Sequence, residues 1–212
     1  MIEFVVAGLS ANSVPYNEAL TLQRALHQSV VTGQSPNTVL FLEHPSVYTA
    51  GRRTEVDERP VDGTPVVDVD RGGKITWHGP GQLVVYPLVR LPEPVDVVGY
   101  VRLLENAIIV ALLQLDIAAH QVDGRSGVWF TPLQSTTPEK VAAIGVPVSH
   151  GVTMHGFALN CNNSLAAYDK IVACGIRDAG VTTLTRIAGR EITPTEIVAT
   201  VQPHLEIALD NL

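Results

Sequence analysis

Cysteine is scarce in this chain: 212 residues hold two, Cys161 and Cys174. Two thiols cannot build a disulfide framework for a chain of this size, nor a four-cysteine zinc site. Positive charge is also short. Lys and Arg number 14 against 21 Asp and Glu, a formal net charge of −7. General nucleic-acid binding, which rests on phosphate neutralisation, is therefore not expected. Apolar runs stop well short of the ~20 residues that a membrane span needs. Met1-Ile2-Glu3-Phe4 has neither the basic start nor the apolar core of a secretory leader. A cytoplasmic protein with reduced thiols and no membrane contact is expected. His-Glu-x-x-His spacing, a P-loop and a Gly-x-Gly-x-x-Gly turn opening a helix are all missing, so neither a metal nor a nucleotide cofactor is indicated.

What is present reads as a folded chain, since 46% of residues are hydrophobic. No repeat, linker or low-complexity tract divides it, and residues 1–212 are expected to form a single domain. Ala19, Leu22, Ala25, Leu26 and Val30 recur at helical spacing, which predicts a helix over 15–32 ended by Gly33 and Pro36. Residues 38–43 and 66–69 read as strands, and 82–89 as a central strand. Asp96 is placed to cap a long buried helix reaching residue 115. Residues 140–148 and 151–160 read as a hairpin about Ser149-His150-Gly151. Thr193-Pro194-Thr195-Glu196 spells a capping box with proline at the first helical position, and Pro203 should kink or divide the helix that follows. The order of elements favours an α+β fold, a mixed or largely antiparallel sheet flanked by helices.

Chemistry concentrates in a few segments. Arg71-Gly72-Gly73-Lys74-Ile75-Thr76-Trp77-His78 leads into Gly79-Pro80-Gly81, glycines that let backbone turn sharply and approach a ligand. Arg52, Arg53, Arg59, Arg71 and Lys74 gather basic charge that could receive an acidic carrier protein. Cys174 precedes a glycine, and a thiol needs a nearby base or cation to become a thiolate near neutral pH. Lys140 leads into an apolar strand, where partial desolvation would favour the neutral amine. It could take the thiol proton or, if charged, stabilise the thiolate. Cys161 fits a buried core residue better. His44, His78 and His155 sit in turns or at strand ends, so a Cys–His hydrolase is a rival to a Cys–Lys acyl-transfer site.

Five motifs occur in order: Leu42-Glu43-His44-Pro45 with Tyr48-Thr49-Ala50-Gly51-Arg52; Arg71 to Gln82; Lys140-Val141-Ala142-Ala143-Ile144-Gly145; His155-Gly156-Phe157-Ala158-Leu159-Asn160; and Cys174-Gly175-Ile176. In these the chain resembles the lipoyl(octanoyl) transferases, actinobacterial members in particular, over residues 40–185. The resemblance implies a fold similar to the catalytic domains of biotin and lipoate protein ligases. It implies transfer of an octanoyl group from octanoyl-acyl carrier protein to lysines on lipoyl domains of 2-oxoacid dehydrogenases and the glycine cleavage H protein. It also implies a monomer that needs no cofactor. By resemblance Cys174 is the thioester nucleophile and Lys140 the residue that tunes it. Acyl-substrate binding falls to Arg71, Gly72, Gly73, Lys74, Ile75, Thr76, Trp77 and His78, to Ala143, Ile144 and Gly145, and to Gly156, Phe157 and Ala158. Ala173 replaces the usual proline before the cysteine, and Ser164 a common acidic residue. A lipoate ligase using ATP and a non-catalytic carrier-binding module remain as rivals.

Overall fold

The computed structural model describes residues 2–10, 13–61, 63–171 and 178–212, so Cys174 lies outside the described residues. In chain order the elements are β1 (Ile2–Gly8), α1 (Tyr16–Val31), β2 (Asn37–Leu42), β3 (Val47–Ala50), β4 (Val66–Asp68), β5 (Thr76–His78), β6 (Gln82–Leu88), α2 (Val97–Leu113), β7 (His120–Val122), β8 (Arg125–Phe130), β9 (Glu139–Gly145), β10 (Val148–Ser149), β11 (Val152–Thr153), β12 (Gly156–Asn160), β13 (Gly180–Val181), α3 (Leu184–Ala188) and α4 (Pro194–Asp210). The main sheet runs β1-β2-β6-β12-β9-β8-β7, with β13 added to β9. β1 pairs β2 in parallel and β13 pairs β9 in parallel, while the other ladders of this sheet are antiparallel. The fold is thus α+β with a mixed sheet. Among the described residues no helix is long and apolar enough to cross a membrane.

Period-two alternation sorts the side chains of the sheet. Phe41, Leu83, Val85, Phe157 and Leu159 face α2 and α4. Leu40, Leu42, Val84, Tyr86 and Ala158 face α1. β6 is buried on both faces, which is why it reads as a continuous apolar run. A second small sheet, β4-β3-β5, carries the glycine-rich segment over the α1 face.

Helix signals hold with two corrections. α1 buries Tyr16, Ala19, Leu20, Gln23, His27 and Val30, and Gly33 follows it at φ +73°. The Asp96 carboxylate accepts the Gly99 N–H at 2.8 Å, capping α2. Thr193 caps α4 by accepting from Glu196 N at 3.2 Å, but the reciprocal half of the box is replaced, because Glu196 pairs with Arg190 at 2.8 Å. Pro203 does not divide α4, which runs continuously to Asp210. An internal proline costs about 3 kcal/mol. Val201 and Leu205 are fully buried on either side of it, and each contributes about 1.5–3 kcal/mol by burial, enough to offset that cost.

The hairpin over 140–160 also forms, with each arm broken in two. Gly145 pairs with Gly156 at the end of the β9–β12 ladder, and β10–β11 continue separately to a two-residue turn at His150 and Gly151, both at positive φ. Pro147 lies in one break and His155, at φ +53°, in the other. The crossing is tight: a Cβ at Gly156 would collide with the Val85 carbonyl oxygen and with Pro87. Asp96→Ala, remote from that crossing, should lower unfolding free energy by about 1 kcal/mol in urea titration, the usual value of an N-cap.

Candidate active site

A cleft opens on the α1 face of the sheet, with about 440 Å³ of empty space continuous with solvent. Its floor is Ala143 and Gly145 of β9 beside Gly156 and Ala158 of β12, with Val84 and Tyr86 of β6, while Ile144 and Phe157, whose side chains enter the opposite core, border it along their strands. Tyr16 of α1, His155, and Arg71, Thr76 and His78 from the overlying segment complete it. The small residues of the floor create the space, because larger side chains at Ala143 and Ala158 would occupy it.

The remaining residues of the glycine-rich segment build the roof and do not line the cleft. Lys74 is taken up by ion pairs with Glu58 and Glu55. Ile75 and Trp77 pack with Tyr48 and against Ala167, Tyr168 and Ile171. Trp77 also donates its indole N–H to Ser46 Oγ at 2.9 Å. Gly72 and Gly73 turn the backbone so that the Arg71 guanidinium reaches the carbonyls of Gly72, Lys74 and Thr49 at 2.8–3.0 Å, together with Thr49 Oγ1 at 3.0 Å. Arg71 therefore pins its own loop, and its Cδ covers Gly145, 3.2 Å from where a Cβ would sit. The basic concentration expected here dissolves in the same way: Arg71 is buried, Lys74 is paired and Arg59 is bound to Asp68. Arg52 and Arg53 remain exposed.

The polar groups of the cleft are locked in one tautomeric pattern. His44 Nδ1 donates to the Val14 carbonyl at 2.6 Å, so Nε2 accepts from the Tyr86 hydroxyl at 2.8 Å. The Gln82 amide donates to Asn160 Oδ1 at 2.9 Å, which leaves its oxygen to accept from His78 Nδ1 at 2.8 Å. His155 Nε2 donates to Asp70 Oδ1 at 2.9 Å, and its backbone N–H donates to Gln23 Oε1 at 3.0 Å. These two bonds hold His155 at its unusual positive φ. Burial pushes His44 down to about 4 and His78 down to about 3, the latter reinforced by neighbouring His44. Burial also lowers His155 against the pull of Asp70. Asp70 is itself held below the usual carboxylate range: its partial burial pulls upward, but the His155 hydrogen bond and charge, its own backbone amide and Arg24 together outweigh it. Burial raises Tyr16 to about 12 and Tyr86 well above its ordinary value. At neutral pH the cleft thus presents neutral imidazoles and phenols around an apolar floor, a surface suited to an uncharged acyl chain.

Lys140 reaches the same side of the sheet through a bulge. Along β9, Ala142 pairs with Leu159 and Ala143 with Ala158. Across from them Val128 pairs with Ala142 but Trp129 with Lys140, so one step on β8 spans two on β9. Val141 is the extra residue. It and Ala142 are both fully buried in the core beneath α2 and α4, and Lys140 is turned to the face that carries Ala143 and Gly145. The side chain is buried, 8% exposed, with Nζ 4.6 Å from the centroid of the Trp129 ring. The described residues that follow Cys174 in sequence are tied here too. Asp178 pairs with Arg125 at 2.6 Å, Gly180 pairs with Glu139, and Thr182 N donates to the Lys140 carbonyl at 3.0 Å. Cys161 is fully buried, and burial raises its thiol far out of reactive range.

Tyr16, Val84 and Tyr86 were not among the residues singled out from the sequence. Alternation along 82–88 places Val84 and Tyr86 on one face, but only the sheet order shows that this face is the cleft.

Residues 15–206 match the family model described as the lipoyl protein ligase A/B catalytic domain. An octanoyltransferase of Clavibacter sepedonicus is 66% identical, covering 100% of this chain and 92% of the relative. One of Leifsonia xyli subsp. xyli is 62% identical, covering 97% and 92%. Among solved structures, a bipartite lipoate protein ligase from Thermoplasma acidophilum shares the fold at TM-score 0.75 and 16% identity, covering 99% of this chain and 85% of that one. Biotin protein ligase from Aquifex aeolicus does so at TM-score 0.54 and 16% identity, covering 99% and 69%.

The imidazoles also set an acid limit. An unfolded histidine titrates near 6.5, whereas His44 and His78 take up protons in the folded state only near 4 and 3. The unfolded chain therefore binds more protons between these values, and stability falls as pH drops below about 6.5. Each ring should contribute up to about 1.4 kcal/mol per pH unit. Urea midpoints measured from pH 7.5 to 4.5 should decline with that slope, and His44→Asn, which keeps a donor toward Val14, should make the decline shallower.

Proposed function

This chain belongs to the octanoyltransferases of the lipoyl protein ligase A/B catalytic-domain family, and from that premise we propose that it carries octanoyl from acyl carrier protein to lipoyl-domain lysines through a thioester on Cys174. The acceptors are the lipoyl domains of 2-oxoacid dehydrogenases and the glycine cleavage H protein. The reaction is a cytoplasmic one, performed by one catalytic domain without metal or nucleotide.

The observation that carries this reading is the turned-out Lys140, on the same sheet face as the apolar-floored cleft and beside the anchored flank of the Cys174 segment. The Cys174 thiolate attacks the thioester carbonyl on the phosphopantetheine arm. The new C–S bond forms as the old one breaks, and the carrier leaves as a thiol after taking a proton. An acceptor lysine, as free amine, then attacks the acyl-enzyme. Its C–N bond forms, the C–S bond to Cys174 breaks, and the surplus amine proton is passed on. Lys140 serves both proton transfers. Exchange between thioesters is nearly isoenergetic and amide formation from a thioester is downhill, so no ATP is consumed.

The acyl chain lies along the floor, away from Lys140 and toward Gly145 and the Arg71 side chain. At about 0.8 kcal/mol per buried CH2, two methylenes change binding by roughly 1.6 kcal/mol. A preference for eight carbons therefore needs a wall as well as burial. Ala158→Val fills the floor and should move the preferred donor to a shorter chain, read as relative rates with hexanoyl, octanoyl and decanoyl thioesters.

Intact-protein mass spectrometry after mixing with octanoyl-acyl carrier protein should show one octanoyl adduct. The adduct should be absent in Cys174→Ala, slowed in Lys140→Ala, independent of ATP, and discharged by an added lipoyl domain. An adduct that persists without Cys174 would sink the scheme. The Asp70–His155 pair at the cleft favours one second reading, a Cys–His hydrolase. That enzyme would release free octanoate when the lipoyl domain is left out.

A further inference from the structure

The aliphatic stem of Lys140 crosses β8 between two residues on the same face, Gly127 and Trp129. Gly127 has φ +112°, and a Cβ there would lie 2.5 Å from the Ala142 carbonyl oxygen and 3.2 Å from Lys140 Cε. Its N–H donates at 2.7 Å to Glu105 Oε1, a fully buried carboxylate on α2 whose other oxygen pairs with Arg102 at 2.6 Å. The helix thereby holds the strand open where the stem passes. Beyond Gly127, the ammonium meets the Trp129 ring at 4.6 Å. Arg125 stands farther off, 5.9 Å from the same ring, and is neutralised by Asp178. Trp129 is fully buried, yet among the described residues its indole N–H makes no hydrogen bond. What the ring offers is its face. An aromatic face attracts a cation through its quadrupole, and most strongly where water is excluded.

We propose that Trp129 and Gly127 are positioning residues for the acyl-transfer step, Trp129 by holding the Lys140 ammonium on its face and Gly127 by leaving room for the stem. The proposal rests on the acyl-enzyme reading above. Neither residue touches the acyl group. They fix where the amine of Lys140 stands, and rate is sensitive to displacements of about 1 Å in such a group.

The test is single-turnover octanoylation of Cys174 by octanoyl-pantetheine, followed by intact mass. Trp129→Leu should slow the adduct about tenfold, the scale of a desolvated cation–π contact, with the donor concentration at half-saturation unchanged. Trp129→Phe, which keeps an aromatic face and forfeits no hydrogen bond, should recover most of the rate. Gly127→Ala should be slowed like Trp129→Leu. Combining Trp129→Leu with Lys140→Ala should be no slower than Lys140→Ala alone, because the ring acts through the amine. A folded Trp129→Leu at wild-type rate, losses that multiply in the double variant, or a Phe variant as slow as Leu would overturn the proposal. If thermal melting shows Trp129→Leu to be unfolded, the pairings of Trp129→Phe and Gly127→Ala with Lys140→Ala decide by the same criterion. A wild type that never acquires the adduct refutes the thioester scheme itself, and the positioning roles with it.

Discussion

Val141 is one residue more than the ladder between β8 and β9 can pair. A regular strand would send Lys140 to the side of Ala142 and Ile144, into the core under α2 and α4, where an ammonium without a counter-ion is costly to bury. The extra residue moves Val141 into that core and turns Lys140 to the opposite face. It does so without loosening the core, since Val141 and Ala142 are both completely buried. The cation over Trp129, on the same face of the sheet as the small-residue floor, follows from this local change of side.

Around the floor, burial and hydrogen bonding work in opposite directions on the same groups. Removing His44, His78, Tyr16 and Tyr86 from water favours their neutral forms. Fixed acceptors then dictate which nitrogen or oxygen keeps the proton. The network links α1, the loop before β3, β6 and the glycine-rich segment with few charged members. Arg71 and Asp70 are the exceptions. The first donates to carbonyls of its own loop and of Thr49 on β3, and the second accepts from His155. Where the walls carry His44, His78 and Tyr86 their hydrogen bonds are already made, so an apolar guest beside them breaks none.

The long amphipathic helices, the apolar strand β2, the doubly buried β6 and the caps at Asp96 and Thr193 were legible in sequence, because period and cap chemistry are local. β1 was not. Ile2 to Gly8 is short and becomes a strand only by pairing in parallel with β2, a non-local event. That Lys74, Ile75 and Trp77 stand in the roof was not legible for a related reason: a motif names neighbours in sequence, whereas the cleft is lined by alternate residues and roofed by the rest. The charge cluster at 52–74 looked available because Glu55, Glu58 and Asp68, its neutralising partners, are interleaved with it. The side on which Lys140 stands could not be read from Lys140-Val141-Ala142-Ala143, since nothing in those letters distinguishes a bulged strand from a regular one.

On α4, Ile197, Val201 and Leu205 share one core with α2 and with Phe41, Leu83 and Val85 of the sheet, against which Ile2 and Phe4 of β1 also pack. During synthesis the sheet can form before its final cover has left the ribosome. The face that carries Phe41, Leu83 and Val85, with β1 beside it, therefore waits uncovered until α4 emerges. Such a face is adhesive while it waits. The growing chain's hazard therefore lasts until the whole of α4 is free to close over the sheet.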